Sequence, residues 1–152
     1  MITRKTPEQV DKMAAAGDIL VRCLHMLEAK ARPGVTTKEL DQAAEKLIRS
    51  QGAEPAFKGY RGFPGSICAS PNSMVVHGIP GRYECKRGDV LAIDVGVIKD
   101  GWVADAAMTV PIGPIEPEAR KLLDVTKASL FAGVEQMQPG NKLGDVSAAI
   151  QR

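Results

Sequence analysis

Two carboxylates stand where an apolar strand would not ordinarily hold them. Residues 90–110, VLAIDVGVIKDGWVADAAMTV, carry Asp94 and Asp105 inside runs rich in Val, Ile and Ala. Asp100-Gly101 between the runs is among the strongest short-range hairpin signals. With a two-residue loop, Lys99 faces Trp102, Asp94 faces Ala107 and Asp105 faces Gly96. Facing pairs share a side of the sheet and side chains repeat with period two. Both aspartates then emerge on one face as diagonal neighbours, roughly 7–8 Å apart at the backbone. A three-residue loop would send them to opposite faces. A bare carboxylate among Leu91, Ile93, Val95 and Val97 is costly without a partner, and no Lys or Arg falls at a cross-strand position. A cation shared by the pair answers that cost, and so does burial with hydrogen bonds. Spacing alone leaves both open.

Of the two histidines, His25 falls mid-helix as a surface residue, whereas His77 ends an apolar run ahead of Gly78-Ile79-Pro80-Gly81, a constrained turn that would fix its orientation. Cys68, in SICAS, suits packing as a small hydrophobe. Phe57, Tyr60 and Phe63 fit plain core as well as the wall of an apolar pocket. Asp89 and Asp100 read as turn residues, and Asp18 as a solvated position on the first helix.

Several elements must position these groups. Thr6-Pro7-Glu8-Gln9 predicts a helix start with Thr6 as N-cap and Gln9 completing a capping box. Val10, Met13, Ala14, Leu20, Val21, Leu24 and Leu27 mark its apolar stripe, and Pro33-Gly34 stops it. Thr36 and Glu39 open a second helix, with Leu40, Ala43, Ala44, Leu47 and Ile48 facing inward and Gly52 closing it. Residues 66–70 read as a short strand, Pro71-Asn72-Ser73 as a turn, and residues 74–77 as a partner strand. Arg87-Gly88-Asp89 turns into the hairpin. A third helix begins near Pro117, with Leu122, Leu123, Leu130 and Met137 at helical spacing, and stops at Pro139-Gly140. GDVSAAIQR starts a fourth.

The chain of 152 residues has one domain's length, 44% hydrophobic and 25% charged, as in ordinary globular proteins. Its net charge of +2, with Lys and Arg scattered along the sequence, gives no reason to expect nucleic acid or an anionic membrane. No apolar run is long enough to span a bilayer, and MITRKTPEQV lacks a signal-peptide core. Cys23, Cys68 and Cys85 make an odd count without CxxC spacing, which points to reduced thiols and a cytoplasmic location. The order helix, Pro-Gly, helix occurs twice at an offset of 106 residues, with Asp18 on Asp124 and Leu24 on Leu130. The second copy breaks off in its second helix. The expectation is an N-terminal part of a longer protein.

GYRGFPGSICASPNSMVVHGIPG (residues 59–81), followed by LAIDVGVIKDGWVADAAMTV (residues 91–110), resembles methionine aminopeptidase, type I, the bacterial family that removes initiator methionine. The resemblance runs from the first helix through GNKLGDVSAAIQ. It implies an α/β (α+β) pita-bread fold of the creatinase/aminopeptidase type, built from two pseudo-symmetric halves. Here that means an incomplete catalytic domain over residues 1–152, with a first αα-β-hairpin repeat at 6–112 and the start of a second at 116–152. It implies two divalent metal ions (Co, Mn, Fe or Zn) held in part by Asp94 and Asp105, with His77 as a catalytic and substrate-contacting residue. It also implies a methionine pocket lined by Tyr60, Phe63, Cys68 and Phe57, and a monovalent cation near Asn72. The implied partner is a nascent protein N-terminus beginning with Met, with no membrane and no direct nucleic acid.

The family completes its metal site with a histidine and two glutamates from its C-terminal half, and none of these can be placed here. Glu116, Glu118 and Glu135 match none of those positions. The expectation is that residues 1–152 alone are inactive or nearly so, the missing half coming in cis or from another chain. Two other functions fit the sequence less well: a related pita-bread hydrolase of the Xaa-Pro aminopeptidase or prolidase type, and a non-catalytic pita-bread binding module.

Overall fold

The computed structural model describes residues 3–152, in two units divided between Pro114 and Ile115. In the first unit, helix α1 (Pro7–Lys30) opens with the expected box: Thr6 Oγ1 accepts from Gln9 N–H at 3.3 Å, and Gln9 Oε1 accepts from Thr6 N–H at 2.9 Å. Helix α2 (Thr37–Ser50) repeats the device with Thr36 and Glu39. Each box satisfies amide donors that the first helical turn leaves without partners.

A mixed-length antiparallel sheet follows: β1 (Glu54–Pro55), β2 (Ile67–Pro71), β3 (Val90–Lys99) and β4 (Trp102–Pro111). Strand β3 is central. It pairs with β4 along its whole length on one side, while β2 and the two-residue β1 share its other edge. Alternate β3 residues Leu91, Ile93, Val95 and Val97 are fully buried, together with Leu27 of α1 and Leu40 and Ile48 of α2. Burying each such side chain is worth about 1.5–3 kcal/mol, so the helical layer fixes which face of the hairpin is core. The opposite face, bearing Ala92, Asp94 and Gly96, is left for chemistry.

Two expectations about this unit are corrected. The buried stripe of α1 is Ala16, Ile19, Leu20, Cys23 and Leu27, and Val10, Met13 and Val21 are exposed. Spacing of i, i+3 and i+4 holds, but Ala16 and Cys23, small and easily passed over, define the face. Residues 74–77 form no strand. Asn72 and His77 both sit at positive φ (54° and 59°), which breaks an extended run, and the segment meets β2 at Gly78, whose carbonyl accepts from Ala69 N–H at 2.9 Å.

In the second unit, α3 (Pro117–Glu135) packs on α4 (Leu143–Gln151). Gly133 permits the approach, since a Cβ there would lie 2.7 Å from Ile150 Cγ1. Leu122, Leu130 and Met137 of the expected stripe are exposed, and Met137 lies past the helix end. The 106-residue offset persists in structure: α2 begins at Thr37 and α4 at Leu143, and Gly34 and Gly140 both hold positive φ (91° and 99°) before them. Among the described residues no helix is long and apolar enough to cross a membrane, and all three cysteines are buried and free.

Candidate metal centre and substrate cleft

The hairpin turn has two residues. Asp100 and Gly101 take φ of 51° and 81°, the two positive values that a type I′ turn requires. The register follows from it: Lys99 faces Trp102, Asp94 faces Ala107, and Gly96 faces Asp105. Asp94 and Asp105 therefore project from the same face, the one turned away from α1 and α2. On its other side Asp94 faces Cys68 of β2, so a thiol, a carboxylate and Ala107 stand in one row across three strands. That third member was not foreseen, because residues 66–70 were not registered against β3.

Glycine shapes the floor between the carboxylates. A Cβ on Gly96 would come within 2.7 Å of Phe57 Cε1 and 2.8 Å of Ala56 Cβ. The bare backbone is what lets the Phe57 ring lie over the strand beside Asp105. His77 is fixed from below by its neighbour. Gly78 N–H donates to Ser70 Oγ at 3.0 Å, Gly78 O accepts from Ala69 N–H, and any Cβ at Gly78 would collide with the Ala69 carbonyl oxygen. The loop is thus stitched to β2 immediately after His77.

One open cleft of about 630 Å³ is lined by Asp94, Asp105, His77, Phe57, Tyr60, Phe63 and Cys68, with Arg61, Gly62, Pro64 and Ile79. All seven residues expected to bind metal or substrate meet there. Tyr60, 64% exposed, forms its rim. Arg61, Pro64 and Ile79 were not singled out from sequence. Arg61 lies over the Tyr60 ring, 5.4 Å from its centroid, with φ of 48°.

The electrostatics of the pair are unbalanced. Asp94 Oδ1 is buried and has no hydrogen-bond partner. Burial, and then the charge of Asp105, push the Asp94 carboxyl above the usual carboxylate range, opposed by His77 and the Val95 N–H. The same surroundings, burial first and the two aspartates after it, push the Cys68 thiol up to about 11. A hard divalent cation fits this donor chemistry: two carboxylates on one face, one with an oxygen that nothing else engages. Among the described residues no cluster of three or more His, Cys, Asp or Glu is placed to hold a metal.

Asp89 departs from its expected role as a plain turn residue. It is 9% exposed and accepts from Tyr83 Oη (2.7 Å), Asn72 Nδ2 (2.9 Å) and Lys86 N–H (2.8 Å). Asn72 Oδ1 accepts in turn from Val90 N–H. This network closes the neck of the excursion that carries His77. The only sequence signal for it was the turn pair around Asn72 and Asp89, and their separation hid the contact.

The same architecture recurs in solved proteins. The crystal structure of methionine aminopeptidase from Rickettsia prowazekii superimposes with a TM-score of 0.97 at 40% identity, covering 99% of this chain and 61% of that one. The prolidase from Pyrococcus furiosus superimposes at 0.87 with 20% identity, over 97% of this chain and 42% of that one, a likeness of fold alone. The fold is the pita-bread α+β fold. Among curated proteins, the methionine aminopeptidase of Clostridium perfringens is 47% identical over 152 residues, all of this chain and 61% of the relative. The chain belongs to metallopeptidase family M24, whose pattern matches residues 11–152. It spans about three-fifths of the length of the curated relatives it matches.

Proposed function

We propose that this chain forms the substrate pocket and one wall of the metal site of a methionine aminopeptidase, which removes methionine from the N-termini of nascent proteins in the cytoplasm. The observation that carries this is the single cleft in which Asp94, Asp105 and His77 meet Phe57, Phe63 and Cys68. The relatives support the substrate: those near half identity are named methionine aminopeptidases, while the prolidase likeness speaks for the fold only.

When bound, a pair of divalent cations (Co, Mn, Fe or Zn) supplies a water acidic enough to yield hydroxide near neutral pH. Asp94 and Asp105 hold that pair from one wall. His77 donates an imidazole N–H to the carbonyl oxygen of residue one and stabilises the charge that develops on it. Phe57, Phe63 and Cys68 receive the unbranched thioether, whose sulfur makes favourable contacts with ring edges. Tyr60 closes the rim. The Asn72 side chain donates to Asp89 and Tyr83 and accepts from Val90 N–H, and a monovalent cation near it is part of this reading.

Two carboxylates fall short of a two-metal ligand set. In this proposal the remaining ligands and the general acid/base come from outside residues 1–152, in cis or from another chain, and the 152 residues alone are inactive or nearly so. Residues 6–112 are then a first repeat, and 116–152 the beginning of a second. The test is to extend the chain after Arg152 with the corresponding C-terminal portion of the Clostridium perfringens relative. The extended protein with Mn²⁺ should cleave a Met-Ala peptide and leave an Xaa-Pro peptide intact, and Asp94→Ala should abolish both cleavage and tight Mn²⁺ binding. A folded, Mn²⁺-loaded extension that spares Met-Ala sinks the methionine specificity. Full-rate cleavage by the isolated chain sinks the incomplete site.

A further inference from the structure

Among the described residues that line the cleft, Arg61 alone carries a fixed positive charge. Asp94 and Asp105 are acidic, His77 is titratable, and the other lining residues are apolar, aromatic, thiol or glycine. Arg61 is exposed and takes part in no ion pair among the described residues. Its near neighbour Lys58 differs. Glu45 accepts from Lys58 Nζ at 2.6 Å and from Arg49 Nε at 2.9 Å. One cation of this loop is therefore engaged and the other is free.

Backbone and stacking together hold the free one in place. Gly59, Arg61 and Gly62 all take positive φ (86°, 48° and 83°). For a residue other than glycine that conformation is costly, and it persists only where surrounding bonds impose it. Those bonds are present. Tyr60 N–H donates to Phe57 O at 3.0 Å, Gly62 N–H to Gly59 O at 3.2 Å, Phe63 N–H to Tyr60 O at 2.9 Å and Gly59 N–H to Phe63 O at 2.8 Å. The Arg61 guanidinium then lies over the Tyr60 ring, 5.4 Å from its centroid. Stacking of a cation on a ring face orders a long side chain without neutralising it. A guanidinium ordered in this way is shaped for a carboxylate, which it can engage through two parallel hydrogen bonds.

Which carboxylate it meets depends on the proposed function, and the inference rests on that reading. The side chain of residue one sits among Phe57, Phe63 and Cys68. In an extended peptide residue two turns the opposite way, and residue three returns to the first wall about 7 Å further along. That position lies toward the rim, where exposed Tyr60 carries Arg61. We infer that Arg61 is a specificity-determining residue, favouring substrates with Asp or Glu at residue three. The contact is made away from the bond that breaks, and equally before and during reaction, so its effect falls on KM.

The test uses the C-terminally extended protein with Mn²⁺ and four amidated peptides: Met-Ala-Glu-Ala, Met-Ala-Gln-Ala, Met-Ala-Lys-Ala and Met-Ala-Ala-Glu. An exposed ion pair is worth about a two- to fivefold preference, so kcat/KM for Glu at residue three should exceed that for its isostere Gln by about this factor. The preference should fade between about 10 mM and 1 M salt, as the screening length shrinks from about 30 to 3 Å. Arg61→Gln should erase it, Arg61→Glu should turn it toward Lys, and Arg61→Lys should keep part of it. Arg22→Gln, on the helix that covers the other face of the sheet, should leave it intact. Each variant is read as a ratio between peptides, so a general loss of activity does not imitate the effect. Equal KM for Glu and Gln, a preference that survives Arg61→Gln, or a stronger Glu preference at residue four overturns the inference, while cleavage of the Met-Ala bond leaves the parent reading standing. If none of the four peptides is cleaved, the parent reading fails and the inference fails with it.

Discussion

Replacing Asp94 with Asn should make the chain more stable in chelator and, once the chain is extended with the remaining metal ligands, less stable in metal, a reversal that few other substitutions would produce. The carboxylate carries a buried oxygen without a partner and faces the charge of Asp105 on the same side of the hairpin. An unsatisfied buried polar group costs about 1–3 kcal/mol, more when charged. The amide keeps an unsatisfied oxygen and removes only the charge, so the gain belongs at the low end, ~1 kcal/mol. For a chain of this size that is a rise in Tm of about 2–4 °C. The sign with pH is fixed by the direction of the shift. A carboxyl whose folded pKa is raised binds its proton more tightly when folded. Its protonation thus favours folding below the ordinary carboxyl range, and that contribution is lost as pH rises through the raised value. The gap between Asp94→Asn and the parent should therefore be nearly closed in acid and fully open at neutral pH. In the C-terminally extended protein, added Mn²⁺ reverses the order, because a ligand at 100 times its Kd stabilises by about 2.7 kcal/mol and the variant binds it weakly. Thermal unfolding in EDTA and in Mn²⁺, followed by circular dichroism across pH, measures all three. A variant that melts below the parent in EDTA at neutral pH would refute the account of a strained, unpaired carboxylate.

Three other outcomes follow from the positions of His77, Phe57 and Asp89. Gly78→Ala should displace His77 by forcing the loop off the Ala69 carbonyl; overpacking of this kind costs about 1–3 kcal/mol. The amide of residue 78 should then lose the hydrogen-exchange protection that Ser70 Oγ gives it. Gly96→Ala should cost a similar amount by driving Phe57 from the strand, visible as a change in the ring's NMR contacts to Asp105. Asp89→Ala strands three donors, Tyr83 Oη, Asn72 Nδ2 and Lys86 N–H, and should lower stability by ~2 kcal/mol, with exchange rising across residues 72–89. Hydrogen bonds from Asn72, Lys86 N–H and Tyr83 outweigh burial and hold the Asp89 carboxyl below its usual range. Its contribution should therefore be present above the ordinary carboxyl pKa and disappear as pH falls through the lowered one.

What the sequence made legible was local or periodic. The capping boxes at Thr6 and Thr36 and the register of the hairpin depend on residues a few positions apart or on a turn type that dictates pairing over twenty residues. That is why the sequence alone places Asp94 and Asp105 on one face. The errors arise where a contact closes a long excursion. Asp89 looks like any turn aspartate until Asn72 and Tyr83 return to it. Residues 74–77 look extended until positive φ at Asn72 and His77 turns the chain. The segments 34–38 and 81–85 look unrelated until backbone bonds through Gly34, Val35 and Cys85 join them. In each case side-chain chemistry was readable and its neighbours were not, because neither 2-residue nor 3.6-residue periodicity carries information about loops that return across a sheet. The same excursion, residues 72–89, holds His77 over the carboxylates at its middle and presents Arg82 and Lys86 to solvent near its end. Asp89 pins its neck, so loosening that one carboxylate should disturb the cleft from a distance. Asp94→Asn, which acts within the paired hairpin, should leave hydrogen exchange across residues 72–89 unchanged.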